Sequence, residues 1–222
     1  SRSHCPGPPM NAVDRSAAPP AGPAAEPPRA GRPNLARQQD IDAVRAAIET
    51  AADVNAAIAA AAHIRSLPGK LLAEDVGAAA ITGLITALND LVTVRLVELT
   101  GAGAALVAAG ACWIALGSAG RSEQTLATDQ DNALIFADCA DPEARRAALV
   151  PAAAAVNRAL DACGIARCRG EIMAGNARWC LSATEWRERF GHWLDEPDPR
   201  ALLNAAVFFD LRPVHGERAL AM

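Results

Sequence analysis

The sequence ACWIALGSAGRSEQTLATDQDNALIFAD, residues 111–138, decides the fold of this chain. An apolar run at residues 112–116 predicts one strand, and a second apolar run at residues 133–137 predicts another. The segment between them contains Gly117 and Gly120, and glycine adopts the positive φ of a tight turn at little cost. We therefore predict a strand, a glycine-containing loop, a short helix and a second strand in this order.

The loop has the residue types of an anion-binding site. Ser118 offers a hydroxyl and a backbone N–H, while Gly117 and Gly120 let the backbone approach a ligand closely. A helix that begins near Ala119 would direct its free N–H groups and its dipole toward an anion at the same point. Arg121 adds a planar, permanently charged group that suits phosphate. Gly117, Ser118, Gly120 and Arg121 are therefore candidates for binding nucleotide phosphates.

Two aspartates, Asp129 and Asp131, precede the second predicted strand. Residues two apart on a strand face the same side, and two adjacent carboxylates repel each other unless a cation lies between them. Oxygen ligands suit Mg²⁺ or Mn²⁺, and two-metal phosphoryl transfer places two such ions about 3.5–4 Å apart. Each pattern alone is more often structural, but the glycine-serine turn and the aspartate pair together predict a nucleotide-phosphate site. The pair precedes the apolar run, which argues against an aspartyl-phosphate nucleophile of the haloacid-dehalogenase type.

The pattern W-x-A-L-G-S-x-G-R-x-E-Q-T-L-x-T-D-Q-D-N-A-L-I, residues 113–135, resembles a nucleotidyltransferase family that is often joined to CBS or cyclic-nucleotide-binding domains. It is also similar to the protein-PII uridylyltransferases of the polymerase-beta-type superfamily. Residues 170–179, the pair Glu185-Trp186 and residues 208–212 resemble the same family. The resemblance extends from about residue 40 to about residue 220.

This resemblance implies specific roles. Gly117 and Ser118 correspond to the nucleotide-phosphate motif of the superfamily, and Asp129 and Asp131 correspond to its metal carboxylates. It implies transfer of a nucleoside monophosphate to an acceptor hydroxyl, with UTP as donor and a signalling protein as acceptor, although no residue here selects uracil. The superfamily also uses a third carboxylate as general base on a later strand. Glu171, on a third strand predicted at residues 165–173, is the candidate, and a surface glutamate on an edge strand is the alternative.

The composition limits the possible partners. The chain has 222 residues, 51% hydrophobic and 21% charged, which is typical of a soluble globular protein. A net charge of −4 without a basic block argues against a general nucleic-acid surface. No run of 18 strongly apolar residues and no signal peptide is evident, so we expect a cytoplasmic protein with no membrane partner. The six cysteines form no C-x-x-C pattern, and we expect them to be reduced and mostly buried.

The predicted fold class is α/β (α+β), with a small mixed-sheet nucleotidyltransferase core and additional helices. Residues 1–37 contain nine of the fifteen prolines, which predicts a disordered extension. Apolar periodicity at residues 38–67 and 73–100 predicts a helical hairpin before the core. The core is expected at residues 101–196. By the family resemblance, residues 197–222 are the start of a C-terminal helical substrate-binding domain.

Several polar residues have two interpretations. Asp90 and Arg95, on the second predicted helix, either lie on a solvated face or contact the core. Asp210 and Arg212 either pair with each other or contact the nucleotide or the acceptor. The chain as a whole is either a nucleotidyltransferase or a catalytically silent nucleotide-sensing or partner-binding regulatory module. In a third possibility, a helical scaffold, Ser118 and the aspartate pair would be structural.

Overall fold

The computed structural model describes residues 35–195 and 207–222. The helices are α1 (Leu35–Glu49), α2 (Val54–Ala62), α3 (Leu67–Ala73), α4 (Ala78–Leu99), α5 (Ala102–Ala109), α6 (Gly117–Gly120), α7 (Pro142–Ala162) and α8 (Ala183–Asp195). The strands are β1 (Ala111–Ala115), β2 (Asn132–Phe136), β3 (Cys180–Ser182) and β4 (Arg212–Gly216). The predicted extension at residues 1–37 lies outside the described residues as far as residue 34, and so does the first part, residues 197–206, of the predicted C-terminal domain.

The strands form one mixed sheet in the order β3-β2-β1-β4. β1 is antiparallel to β2 on one side and to β4 on the other, with Trp113 opposite Leu134 and His215. β3 pairs with β2 in parallel. Both strands predicted around the glycine-serine loop are present, and the mixed α/β architecture confirms the predicted fold class.

Alternate side chains of the sheet enter two separate hydrophobic clusters. Trp113, Leu134 and Phe136 belong to the larger cluster, together with apolar residues of α1, α2, α4, α5 and α7. Ile114 and Ile135 belong to the smaller one, whose aromatic members are Trp179, Trp186, Trp193 and Phe208. Because both faces of β1 and β2 are covered, every residue of these strands is buried, and they are continuous apolar runs in the sequence.

The prediction of one continuous helix at residues 38–67 is wrong, because the structure divides this segment among α1, α2 and the start of α3. The chain leaves α1 at Glu49, and Asp53 then caps α2 by accepting a hydrogen bond of 2.8 Å from the N–H of Ala56. Pro68 lies in the first turn of α3, where its missing N–H costs nothing, and does not end a helix. The apolar spacing continues across the break, so periodicity did not reveal it. The helix predicted at residues 73–100 corresponds to α4.

The third strand predicted at residues 165–173 is also wrong. This segment is a loop after α7, and its one ladder contact is an isolated parallel bridge between Asp129 and Ala166. Gly164 at φ +88° and Glu171 at φ +56° turn the chain where an extended strand would need negative φ. The third strand along the chain is instead β3.

Residues 207–222 do not begin a separate helical domain, because they contribute β4 to the core sheet. Gly216 permits this pairing, since a Cβ there would lie 2.1 Å from the carbonyl oxygen of Ala111. The sequence of β4, RPVHG, contains one strongly apolar residue, which explains why pattern analysis missed it.

α4 is long and apolar enough to cross a membrane by length and composition, with a mean hydropathy of 1.5. α4 is therefore an exception to the expectation, made from the sequence, that no segment is apolar enough to span a membrane. In this fold the helix is central to the larger cluster, and Leu88, Val92 and Leu96 are completely buried. A core helix passes the same composition test, so the hydropathy is weak evidence for a membrane.

Candidate functional site

The turn after β1 lies against the aspartate pair. Gly117 has a φ of +52°, and a Cβ on it would lie 3.0 Å from Oδ2 of Asp131. The N–H of Leu116 donates a hydrogen bond of 3.0 Å to the carbonyl oxygen of Asp131, which extends the β1–β2 ladder by one residue. The structure therefore brings the candidate phosphate loop and one candidate metal carboxylate together.

The two aspartates face outward, and the residues that alternate with them face inward. Asp129 is exposed and Asp131 is half-buried, whereas Gln130 and Asn132 are buried. Burial raises the pKa of Asp131, a hydrogen bond with the thiol of Cys168 opposes this, and the negative charge of Asp129 raises the pKa further. The pair is thus close enough for mutual repulsion, which a cation between the carboxylates would relieve.

A buried amide network supports the pair from behind. Gln130 Nε2 donates hydrogen bonds to the carbonyl oxygens of Asn157 (3.0 Å) and Ile165 (2.9 Å). Asn157 Nδ2 donates to Gln130 Oε1 (2.8 Å) and to Asn132 Oδ1 (2.9 Å). Asn132 Oδ1 also accepts from the N–H of Ala174 (2.8 Å). These bonds fix the aspartate segment to α7 and to the loop after it.

The role of this amide network was not predicted from the sequence. The signal was present in the D-Q-D-N order, because strand alternation that turns the aspartates outward must turn Gln130 and Asn132 inward. Asn157 had no comparable signal, since it is one polar residue in an alanine-rich helix.

The other loop candidates have different surroundings. Ser118 is half-buried, and its hydroxyl makes no hydrogen bond to the described residues. A Cβ on Gly120 would lie 1.5 Å from the carbonyl oxygen of Asp210, so this glycine is required for close packing. Arg121 is paired with Glu123 (2.8 Å) and with Asp210 (2.6 Å). Its guanidinium would have to leave these carboxylates to bind a phosphate.

A half-buried ion pair ties α4 to the loop. Arg212 donates two hydrogen bonds to Asp90, at 2.8 and 3.1 Å, and a third of 2.9 Å to the carbonyl oxygen of Ala119 in α6. Asp90 therefore contacts the core, whereas Arg95 binds Glu98 and a backbone carbonyl within the helical part. The pairing of Arg212 with Asp210 that the sequence suggested is not made.

Glu171 does not join the aspartate pair. It is exposed and lines a different cavity, together with Arg158 and Arg167. Among residues 35–195 and 207–222, no three His, Cys, Asp or Glu side chains gather at a point where they could hold a metal. A divalent ion at this site would have two protein carboxylates, and water and phosphate oxygens would complete its coordination, as is usual for Mg²⁺.

The pair Glu185-Trp186, one of the later segments that resemble the family, makes contacts that stabilise the fold. Glu185 pairs with the buried guanidinium of Arg146 and accepts a hydrogen bond of 2.7 Å from the N–H of Ser182 at the start of α8. Trp186 donates its indole N–H to the carbonyl oxygen of Leu134, at 2.9 Å. Both residues therefore hold α8 against the sheet.

Residues 62–200 match the family described as Putative nucleotidyltransferase DUF294. The matched range covers more than half of the chain and includes β1, the glycine-serine turn, the aspartate pair and Glu171. The chain belongs to this family, and its core is a nucleotidyltransferase domain. No curated protein and no solved structure matches the chain.

Proposed function

We propose that this chain transfers a nucleoside monophosphate from a nucleoside triphosphate to an acceptor hydroxyl and releases pyrophosphate. The observation that carries the proposal is the contact between the Asp131 carboxylate and the Gly117 turn. A triphosphate on the turn would have its oxygens beside the carboxylates, within reach of one divalent ion. The raised pKa of Asp131 adds support: burial is its main cause, the charge of Asp129 adds to it, and acids with perturbed pKa values cluster at functional sites.

Each residue of the proposed site has a distinct task. The free hydroxyl of Ser118 and the backbone N–H groups of the turn hold phosphate oxygens, and Gly117 keeps space for the Asp131 carboxylate. Asp129 and Asp131 hold Mg²⁺ or Mn²⁺, which when bound neutralises the triphosphate and polarises the phosphoryl group. The buried amides behind the pair keep both carboxylates in position before a ligand arrives. Glu171 faces another cavity, so we do not assign it the role of general base.

The finer form of the proposal rests on the resemblance to protein-PII uridylyltransferases. In this form UTP is the donor, the acceptor is a signalling protein in the cytoplasm, and CBS or cyclic-nucleotide-binding domains regulate the reaction. Thermal stabilisation by each of the four triphosphates, with and without Mg²⁺, tests the base preference, because a ligand that binds the native state raises the melting temperature.

A catalytically silent nucleotide sensor is the second candidate. The observation that favours it is the lack, within the described part of the chain, of a third carboxylate beside Asp129 and Asp131. A sensor would bind a metal–nucleotide complex on the same residues without turnover.

Pyrophosphate release from each nucleoside triphosphate, with Mg²⁺ or Mn²⁺, distinguishes the two candidates. A transferase releases pyrophosphate, and both Asp129→Asn and Asp131→Asn reduce the rate by about 100-fold or more, as expected when a group that stabilises transition-state charge is removed. Asp161→Asn, on the exposed end of α7, is the matched control and keeps the activity. Metal-dependent nucleotide binding without turnover, also when a protein extract supplies acceptor hydroxyls, identifies the sensor. Absence of metal-dependent nucleotide binding in the unmodified protein contradicts both.

A further inference from the structure

A cavity of about 290 Å³ lies between α7 and the loop that follows it. Its charged lining consists of Arg158 on α7, Arg167 in the loop and Glu171 at the turn of the loop. None of the proposed nucleotide or metal ligands lines it. The volume is close to the lower end of the range for small-molecule sites, about 300–1,000 Å³, so any ligand is small.

The two arginines have no internal partner. Neither Arg158 nor Arg167 makes an ion pair or a side-chain hydrogen bond within residues 35–195 and 207–222. Most other arginines near the core are paired, as Arg146 is with Glu185 and Arg212 with Asp90. Two unpaired guanidiniums that line one concave surface are suited to an oxyanion, because each can donate two parallel hydrogen bonds to it.

The backbone around this cavity is closely packed and partly strained. A Cβ on Gly175 would lie 2.6 Å from Cα of Ala154, so the loop can approach α7 this closely only with glycine at that position. Glu171 adopts a φ of +56°, which is uncommon for a residue other than glycine. The side chain of Asn176 donates a hydrogen bond of 3.0 Å to the Glu171 carbonyl oxygen and so supports this conformation. Asp75 and Ser122 share this conformation, and residues of this kind are enriched at ligand-binding sites.

The wall of the cavity is continuous with the support of the aspartate pair. Asn157 lines the cavity, and its side chain belongs to the amide network behind Asp129 and Asp131. Ala166, which precedes Arg167, forms the isolated bridge with Asp129. A ligand on Arg167 is therefore one residue away from the backbone that positions Asp129.

We propose that this cavity binds a small molecule through an oxyanion group, a phosphate or a carboxylate, which Arg158 and Arg167 hold. The carboxylate of Glu171 accepts a hydrogen bond from a hydroxyl or amino group of the same molecule. This second site is distinct from the proposed nucleotide site, and the inference does not depend on nucleotidyl transfer.

The experiment measures anion binding without divalent metal. The full chain is titrated with inorganic phosphate and, separately, with succinate, in EDTA and at constant ionic strength set with chloride. Calorimetry and the melting temperature should show saturable binding of at least one anion. Arg158→Gln/Arg167→Gln should weaken it by about tenfold or more, as expected from the loss of charged hydrogen bonds. Inorganic phosphate tests for a phosphate group and succinate for a carboxylate group. The anion that binds more tightly identifies which of the two groups the natural ligand carries.

Three control variants distinguish anion binding in this cavity from binding at the nucleotide site and from general attraction to surface charge. Arg45→Gln removes an exposed arginine of α1, and Ser118→Ala removes the hydroxyl of the proposed phosphate turn; both should bind the anion as the unmodified chain does. Glu171→Gln should strengthen binding of the bare anion, because a negative charge leaves the cavity. The proposal is overturned if neither anion binds saturably, if binding survives loss of both arginines, or if Arg45→Gln weakens it equally. Loss of anion binding in Ser118→Ala would assign the anion to the nucleotide site and also overturn the proposal.

Discussion

Gly117 leaves open the space into which Asp131 directs its carboxylate, since a Cβ on Gly117 would lie 3.0 Å from Oδ2 of Asp131. The residue also has a φ of +52°, in the left-handed region that L side chains rarely adopt. One position therefore satisfies two requirements of the proposed site, a tight turn and close approach of a carboxylate.

The first prediction is that Gly117→Ala destabilises the fold by about 1–2 kcal/mol, the cost of a left-handed conformation at a residue with a Cβ. It should also weaken Mn²⁺-dependent nucleotide binding, because the new methyl group displaces Asp131. Urea unfolding and a metal titration measure the two effects. Gly103→Ala, in α5, is the control and should slightly stabilise the fold, because its Cβ would meet Val97 only at an ordinary contact distance of 3.8 Å. Unchanged nucleotide binding in Gly117→Ala would contradict the role of the turn.

The second prediction concerns the ion pair between Asp90 and Arg212. Asp90→Asn should cost about 1–3 kcal/mol, because two charged hydrogen bonds of a half-buried guanidinium lose their acceptor charge. Arg212→Gln should in addition weaken nucleotide binding, since Arg212 also holds the Ala119 carbonyl of the loop.

A double-mutant cycle on these two residues should give a coupling free energy of about 1 kcal/mol or more. The exposed pair of Lys70 and Asp40 is the comparison, and its cycle should give at most about 0.5 kcal/mol. Equal coupling in the two cycles would show that the contact of α4 with the loop contributes no more than a surface ion pair.

The sequence predicted those parts of the fold in which local pattern and burial agree. β1 and β2 were evident because burial on both faces makes them continuous apolar runs. β4 was not predictable, since its pairing with β1 depends on a distant strand and on Gly216. The break between α1 and α2 was missed because the apolar spacing of the helices continues across it.

The candidate site was predictable to a similar degree. The residues proposed to bear its chemistry were named from type and spacing, and their role stays a prediction; the structure brings two of them, Gly117 and Asp131, into contact. The partners of Arg121 and Arg212 were not predictable, because ion pairing between residues far apart in sequence depends on the tertiary fold. Glu171 was placed near the aspartates on the assumption of a strand that the structure replaces with a loop.

The third prediction tests the buried amide network. Asn157→Ala should destabilise the fold by about 2–4 kcal/mol, because Gln130, Asn132 and the N–H of Gly175 lose a buried partner and a small cavity remains. Metal binding should weaken as well, since the aspartates lose their support. Asn55→Ala, on the exposed face of α2, should change stability by less than about 0.5 kcal/mol. A loss of stability with unchanged metal affinity would limit the network to a structural role.

The raised pKa of Asp131 determines how the stability of the metal-free chain changes with pH. Burial raises this pKa, the Cys168 thiol partly opposes the shift, and the charge of Asp129 adds to it. An acid whose pKa is higher in the folded state penalises folding when it ionises. The stability of the chain is therefore highest below the pKa that Asp131 has in the unfolded state. The full loss of stability is reached above the pKa that it has in the folded state. Asp131→Asn removes the penalty, so the metal-free variant should melt higher than the unmodified chain at neutral pH.

The fourth prediction follows from the same shift. A carboxylate must lose its proton to bind a metal, so Mn²⁺ affinity should increase with pH and reach its plateau above the range in which an ordinary aspartate ionises, about pH 3.9. Electron paramagnetic resonance titrations of Mn²⁺ between about pH 4 and pH 8 measure this. In Asp129→Asn the burial that mainly raises the Asp131 pKa remains and the smaller contribution of the Asp129 charge is gone, so the residual binding should be weaker and its midpoint should move slightly to lower pH. Unchanged Mn²⁺ affinity in Asp129→Asn would mean that the two carboxylates do not share an ion, and the proposed metal site would lose its basis.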